Sequence, residues 1–90
     1  MHRLGRYLYR EAILAELARH GVVPRPTTSP ETSRWAVNGL YRYELRRLRD
    51  RLARCEFPKK EYIERVVEIR ERYTVMSIPV RLWTQETTTE

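Results

Sequence analysis

The stretch Ser29-Pro30-Glu31-Thr32-Ser33-Arg34-Trp35-Ala36-Val37-Asn38-Gly39-Leu40-Tyr41-Arg42-Tyr43-Glu44-Leu45-Arg46-Arg47-Leu48-Arg49-Asp50-Arg51-Leu52-Ala53-Arg54-Cys55 decides how this chain folds. It opens with three residues that each suit a helix start. Ser29 is a favoured N-cap, Pro30 a favoured first helical residue, and Glu31 suits the positive end of the helix dipole. Val37, Tyr41, Leu45, Leu48, Leu52 and Cys55 then form one apolar line, and from Tyr41 on the steps are 4, 3, 4 and 3, a coiled-coil-like seam. The spacing predicts a helix over 30–55. Asn38 and Gly39 are poor helix formers near its middle and predict a kink or a close helix contact there. Cys55, closing the seam, is expected to be a buried, inert thiol.

On the C-terminal side, Phe57-Pro58 breaks the helix and Pro58 opens another, over 58–73, with Tyr62, Ile63, Val66, Val67, Ile69 and Tyr73 as its apolar residues. Glu61 with Arg65 and Glu68 with Arg72 stand in the favourable i,i+4 order and predict a wet outer face. The segment from Thr74 to Trp83 is β-prone, interrupted by Pro79, and reads as an extended tail over 74–90 packing on the helices or on another chain. Its polar end from Thr84 onward is expected to be disordered.

On the N-terminal side, Leu4, Tyr7, Leu8, Leu14, Leu17 and Ala18 recur at helical spacing and predict a helix over 3–20, closed by Gly21 at the C′ position. Pro24 and Pro26 make residues 22–28 an extended, semi-rigid connection. The expected fold is all-α: three helices in a single domain spanning 1–90. The second and third form an antiparallel hairpin turned at Phe57-Pro58, and the first returns across them.

The chain has 90 residues, a formal net charge of +6 and a pI near 10.0. So short a chain has a thin core and gains from association with itself or a partner. A single cysteine excludes an internal disulfide, and no apolar run is long enough to span a bilayer. No signal-peptide pattern is present, so a cytoplasmic setting is expected.

Nearly all the positive charge is arginine. Along the second helix, Arg42, Arg46 and Arg49 share one side, and Arg47, Arg51 and Arg54 share another, flanking the leucine seam. Such stripes suit phosphate, an acidic protein surface, or a solvated face whose arginine stems cover the core edge, with Asp50 paired to Arg54. Six tyrosines and two tryptophans lie largely among these arginines, too many for a small core to bury. Trp35, Tyr43 and Trp83 are the candidate interface anchors.

Leu8-Tyr9-Arg10 and Leu40-Tyr41-Arg42 each spell the tripeptide of the LYR family of small, basic, three-helix accessory proteins of mitochondrial respiratory complexes and iron–sulfur assembly. The first copy resembles the family's in lying near the start of the first helix. Phe57, the sole phenylalanine, precedes a proline and departs from the family's downstream pattern, so the resemblance covers the tripeptide alone and implies only that such a composition suits an accessory subunit.

Catalytic chemistry has no visible carrier. His2 and His20 are isolated, and His20 is expected to interact with the dipole of the first helix. Glu64, Glu68 and Glu71 are interleaved with arginines and lack a histidine at metal-ligand spacing. Gly5, Gly21 and Gly39 make no phosphate loop. No catalytic, cofactor or metal site is expected. The expectation is a non-enzymatic interaction module using Trp35, Arg42, Tyr43, Arg46, Arg49 and Trp83 toward a protein partner or a second copy. The alternative is nucleic-acid binding through Arg47, Arg51 and Arg54.

Overall fold

The structure is a computed structural model and describes residues 6–85. Three α-helices, α1 (Glu11–Arg19), α2 (Pro30–Ala53) and α3 (Tyr62–Arg72), form an all-α architecture. A two-stranded antiparallel ribbon pairs β1 (Leu8–Tyr9) with β2 (Thr84–Gln85), in the register Leu8 to Gln85 and Tyr9 to Thr84.

α2 begins as its sequence dictates. The Ser29 Oγ accepts the Thr32 amide at 3.1 Å, and Pro30 occupies the first turn. The helix then runs unbroken through Asn38 and Gly39. A Cβ at Gly39 would meet nothing within 4 Å, so no close helix contact occurs there. α2 ends in a Schellman motif, with Cys55 N–H donating to the Leu52 carbonyl and Glu56 N–H to that of Arg51. This places Cys55 at φ 60, a left-handed position that usually holds glycine, and turns its thiol outward. The expectation of a buried thiol fails because α2 stops before Cys55 can join the seam.

α1 is shorter than its periodicity predicts. Tertiary partners claim the amides that a longer helix would need. Tyr7 N–H donates to the Pro26 carbonyl at 2.7 Å, Leu8 and Tyr9 pair with β2, and Arg10 N–H donates to the Trp83 carbonyl at 3.0 Å. Helical bonding begins only at Leu14 N–H to the Arg10 carbonyl. The part of the expected helix at residues 3–5 lies outside the described residues. Gly21, at φ 77, closes α1 as expected, with its N–H on Ala18 and the Val22 N–H on Leu17.

The tail is not extended. Two 3-10 turns, Thr74–Ser77 and Val80–Leu82, fold it back on the helices and deliver β2 to β1. Thr84 and Gln85 are thus ordered by strand pairing, while residues 86–90 lie outside the description. Trp83 is wholly buried, and its indole N–H donates to the Ile78 carbonyl at 2.9 Å. Around it lie Tyr9, Ile13, Leu17, Val37, Tyr73 and Val75. The Tyr9 hydroxyl donates to the Thr28 carbonyl at 2.7 Å and accepts from Ser33 Oγ at 2.8 Å, which satisfies the buried polar atoms of both side chains.

α3 starts at Tyr62 after a 3-10 turn over Lys59–Glu61. It runs antiparallel to α2. Glu44 is held by Arg72 and Tyr73, while near the turn Arg51 and Arg65 both lie over the Phe57 ring. The Cα extents are 59 × 16 × 16 Å and the radius of gyration is 16.7 Å, against about 12 Å for a compact chain of this length. The excess is an arm. α1, the ribbon and the tail gather on the first half of α2, whereas among the described residues its second half has α3 alone as a helical neighbour.

Candidate functional site

The arm carries the surface with most to offer a partner. Between α2 and α3 lies an open groove of about 450 Å³. Its floor is Leu48, Ile69 and Tyr73, all buried, and Leu40 and Tyr43 stand on its rim, Tyr43 54% exposed. Arg47 and Arg51 of α2 and Arg65 and Arg72 of α3 line the walls, with Glu44 and Glu68 as the acidic members.

Most of these charges are already held. Arg72 binds Glu44, Arg65 binds Glu61 at 3.0 Å, and Arg51 binds Glu56 at 2.9 Å. Among the described residues Arg65 Nε has no acceptor, and its guanidinium rests 4.3 Å from the Phe57 ring centroid. Arg47 has no carboxylate within salt-bridge distance among the described residues and sits 5.9 Å from the Tyr43 ring centroid. The expected Glu68–Arg72 pair does not form, because Glu44 reaches Arg72 from α2 together with the Tyr73 hydroxyl.

The head of the groove is built from packed aromatic rings. Tyr73 stacks on His20 with centroids 4.0 Å apart and is tilted against Tyr41 at 5.2 Å. His20 thus serves as a packing residue at the α1 C-cap rather than as a partner of the helix dipole alone. Burial and the hydrogen bond to Glu44 push the Tyr73 phenol up to about 12. Burial works against the Glu44 charge, but the hydrogen bonds from Tyr73 and Arg72 outweigh it and hold its carboxyl below the usual carboxylate range.

The residues singled out by sequence separate into two groups, with Trp83 and Arg54 outside both. Tyr43, Arg47 and Arg51 come together in the groove. Arg42, Arg46 and Arg49 are exposed on the other flank of α2, where helical spacing also places Trp35, which is 78% exposed. None of the three arginines has a carboxylate partner among the described residues. Trp83 is corrected from interface anchor to core centre, because the 3-10 turns carry it inward. Arg54 joins neither group, pairing with Glu56 at the tip at 2.9 Å and not with Asp50.

Sequence reasoning missed Leu40, Arg65 and Glu68 in this site. For Leu40 the signal was spacing: Leu40, Tyr43, Arg47 and Arg51 form an i, i+3, i+7, i+11 row beside the leucine seam, and an apolar pair off the seam marks a second, open face. On the other flank of α3, Ile63 and Val67 are also exposed.

The two LYR tripeptides occupy unlike structures, one a strand leading into α1 and the other the middle of α2. No protein-family model, curated protein or solved structure matches the chain. Among the described residues, no group of His, Cys, Asp or Glu is placed to hold a metal ion, and no helix is long and apolar enough to cross a membrane.

Proposed function

We propose that this protein is a non-catalytic interaction module, an accessory chain that binds a larger protein through its α2–α3 arm. One observation carries the reading: among the described residues the arm is covered on neither flank, and it presents Tyr43, Ile63 and Val67 to solvent, with Leu40 exposed at its base, beside arginines that have no carboxylate partner. Large exposed apolar groups rimmed by charge mark surfaces that are covered in use. The thin core supports the same reading, since a partner would add burial the chain lacks.

The test is purification of the tagged full chain from its own host at moderate salt, with and without nuclease. A stoichiometric protein retained after nuclease is expected. Retention of nucleic acid alone would favour a second reading, in which exposed Arg42, Arg46 and Arg49 track a phosphate backbone. Affinity would then fall steeply with salt. Retention of neither would remove the first reading.

A further inference from the structure

Resting on that reading, we infer that the α2–α3 groove seats an acidic amphipathic helix from a different protein. Its apolar residues lie on Leu40, Tyr43 and Leu48, and its carboxylates meet Arg47, Arg51 and Arg65. Beyond Glu44 each helix of the arm has one helical neighbour, and two antiparallel helices with an open groove between them are a bundle short of a member. The exposed run equals the length of α3, whose 11 residues span about 16 Å, so an occupant of about three turns covers it.

Charge selects the occupant. Four arginines line the groove against two glutamates; Glu44 is engaged by Arg72 and Tyr73, and Glu68 has no arginine partner among the described residues, which leaves the lining net positive by two charges. An approaching carboxylate finds Arg47 without a carboxylate partner among the described residues, and finds Arg51 and Arg65 resting on the Phe57 ring and paired with glutamates that line no part of the groove. A second copy on the same face would set this arginine set against itself, on a chain of net charge +6, and like charges facing one another discriminate strongly against a complex. A nucleic-acid backbone would find a floor of Leu48, Ile69 and Tyr73, apolar where phosphate needs donors. The uncommitted stripe of Arg42, Arg46 and Arg49 lies on the other flank.

The experiment places a photocrosslinking benzoylphenylalanine in the full chain, at Tyr43 in one version and at Arg46 in another. Each is expressed in the native host, and the adducts are sequenced by mass spectrometry. The Tyr43 position is expected to capture a segment of another protein that is net negative and apolar at helical spacing. A synthetic peptide of that segment should bind the purified chain. Arg47→Glu should weaken it about tenfold or more, while Arg46→Glu leaves it within about twofold. Retained helical circular dichroism in both variants excludes unfolding as the cause. Adducts from Tyr43 to a second copy, to nucleic acid or to a segment without that pattern overturn the inference. So does a peptide that binds Arg47→Glu as it binds the parent chain. Protein adducts from Arg46 alone overturn the inference yet leave the interaction-module reading standing, whereas protein adducts from neither position overturn both.

Discussion

The two halves of α2 lie on one continuous helix and live in different environments. Its first half is wrapped by α1, the β ribbon and the folded-back tail, and buries Pro30, Ser33 and Val37. Among the described residues its second half has α3 as its one helical neighbour, and it buries Leu48. Helical propensity runs the other way, since the poor formers Thr32, Ser33, Val37, Asn38 and Gly39 lie in the wrapped half while the second half is mostly Leu, Arg and Glu. The difference lies in how many elements share the apolar stripe, which is why burial concentrates at one end of the rod and recognition surface at the other.

The two tryptophans test the enclosed half first, one buried in its core and one on its outer surface. Trp83→Ala should cost about 3–5 kcal/mol by opening the centre of the enclosed half. Trp35→Ala, on the open flank, should change stability by no more than about 0.5 kcal/mol. Urea unfolding of both variants measures this, and equal losses would dissolve the distinction between core and surface in that half. Next in size, Tyr9→Phe deletes the hydroxyl between the Thr28 carbonyl and Ser33 and should cost about 1–3 kcal/mol. Adding Ser33→Ala to Tyr9→Phe should cost less than Ser33→Ala does alone in the parent chain, because the two groups share one bond.

The helix ends and middle offer smaller, opposite changes. α1 and α2 both finish in a Schellman turn, one with Gly21 and the other with Cys55 at the left-handed residue. Cys55→Gly should therefore stabilise the arm by about 1 kcal/mol. Gly39→Ala should add about 0.5–1 kcal/mol, because a Cβ there meets open space. Thermal melts report both, and a loss from Gly39→Ala would reveal a contact at that position.

The smallest effect is on pH dependence. Glu44 has a folded-state pKa below its ordinary 4.5, so the stability it adds is complete above that pH and is lost as pH falls through the folded value. Tyr73 has a folded-state pKa raised from 10.0 to about 12, so its contribution is complete below pH 10 and fades as pH climbs toward 12. Glu44→Gln should flatten the acid limb and Tyr73→Phe the alkaline limb of a stability-against-pH curve.

The long helix, its N-cap, the hairpin break and the α1 stop at Gly21 were legible in sequence because each rests on neighbouring residues. The start of α1 was not. Tyr7 and Leu8 share helical spacing with Leu14 and Leu17, and only a strand 75 residues downstream makes the chain at Leu8 and Tyr9 extended. Trp83 was misplaced for a like reason: the turns that bury it are short 3-10 pieces with no periodicity to read. In the candidate site, Tyr43, Arg47 and Arg51 were visible as a row on one helix. Arg65, Glu68 and the Glu44–Arg72 pair depended on how α3 docks, and in α3 itself the i,i+4 rule pointed to a different partner for Arg72.

The ribbon and Arg10 also bear on how the chain is made. Arg10 reaches across to Leu82, 72 positions later, with its Nε at 2.9 Å from that carbonyl, whereas Glu44 and Arg72 are separated by 28 positions. On the ribosome, the α2–α3 pairing is complete once Arg72 has emerged. The wrapping of the first half of α2 must wait for Trp83 and β2, since closing the longer loop is slower. The half with fewer packing neighbours is thus assembled first. The half that buries most is assembled last, and until then the nascent chain holds Val37, Leu17 and Tyr9 uncovered.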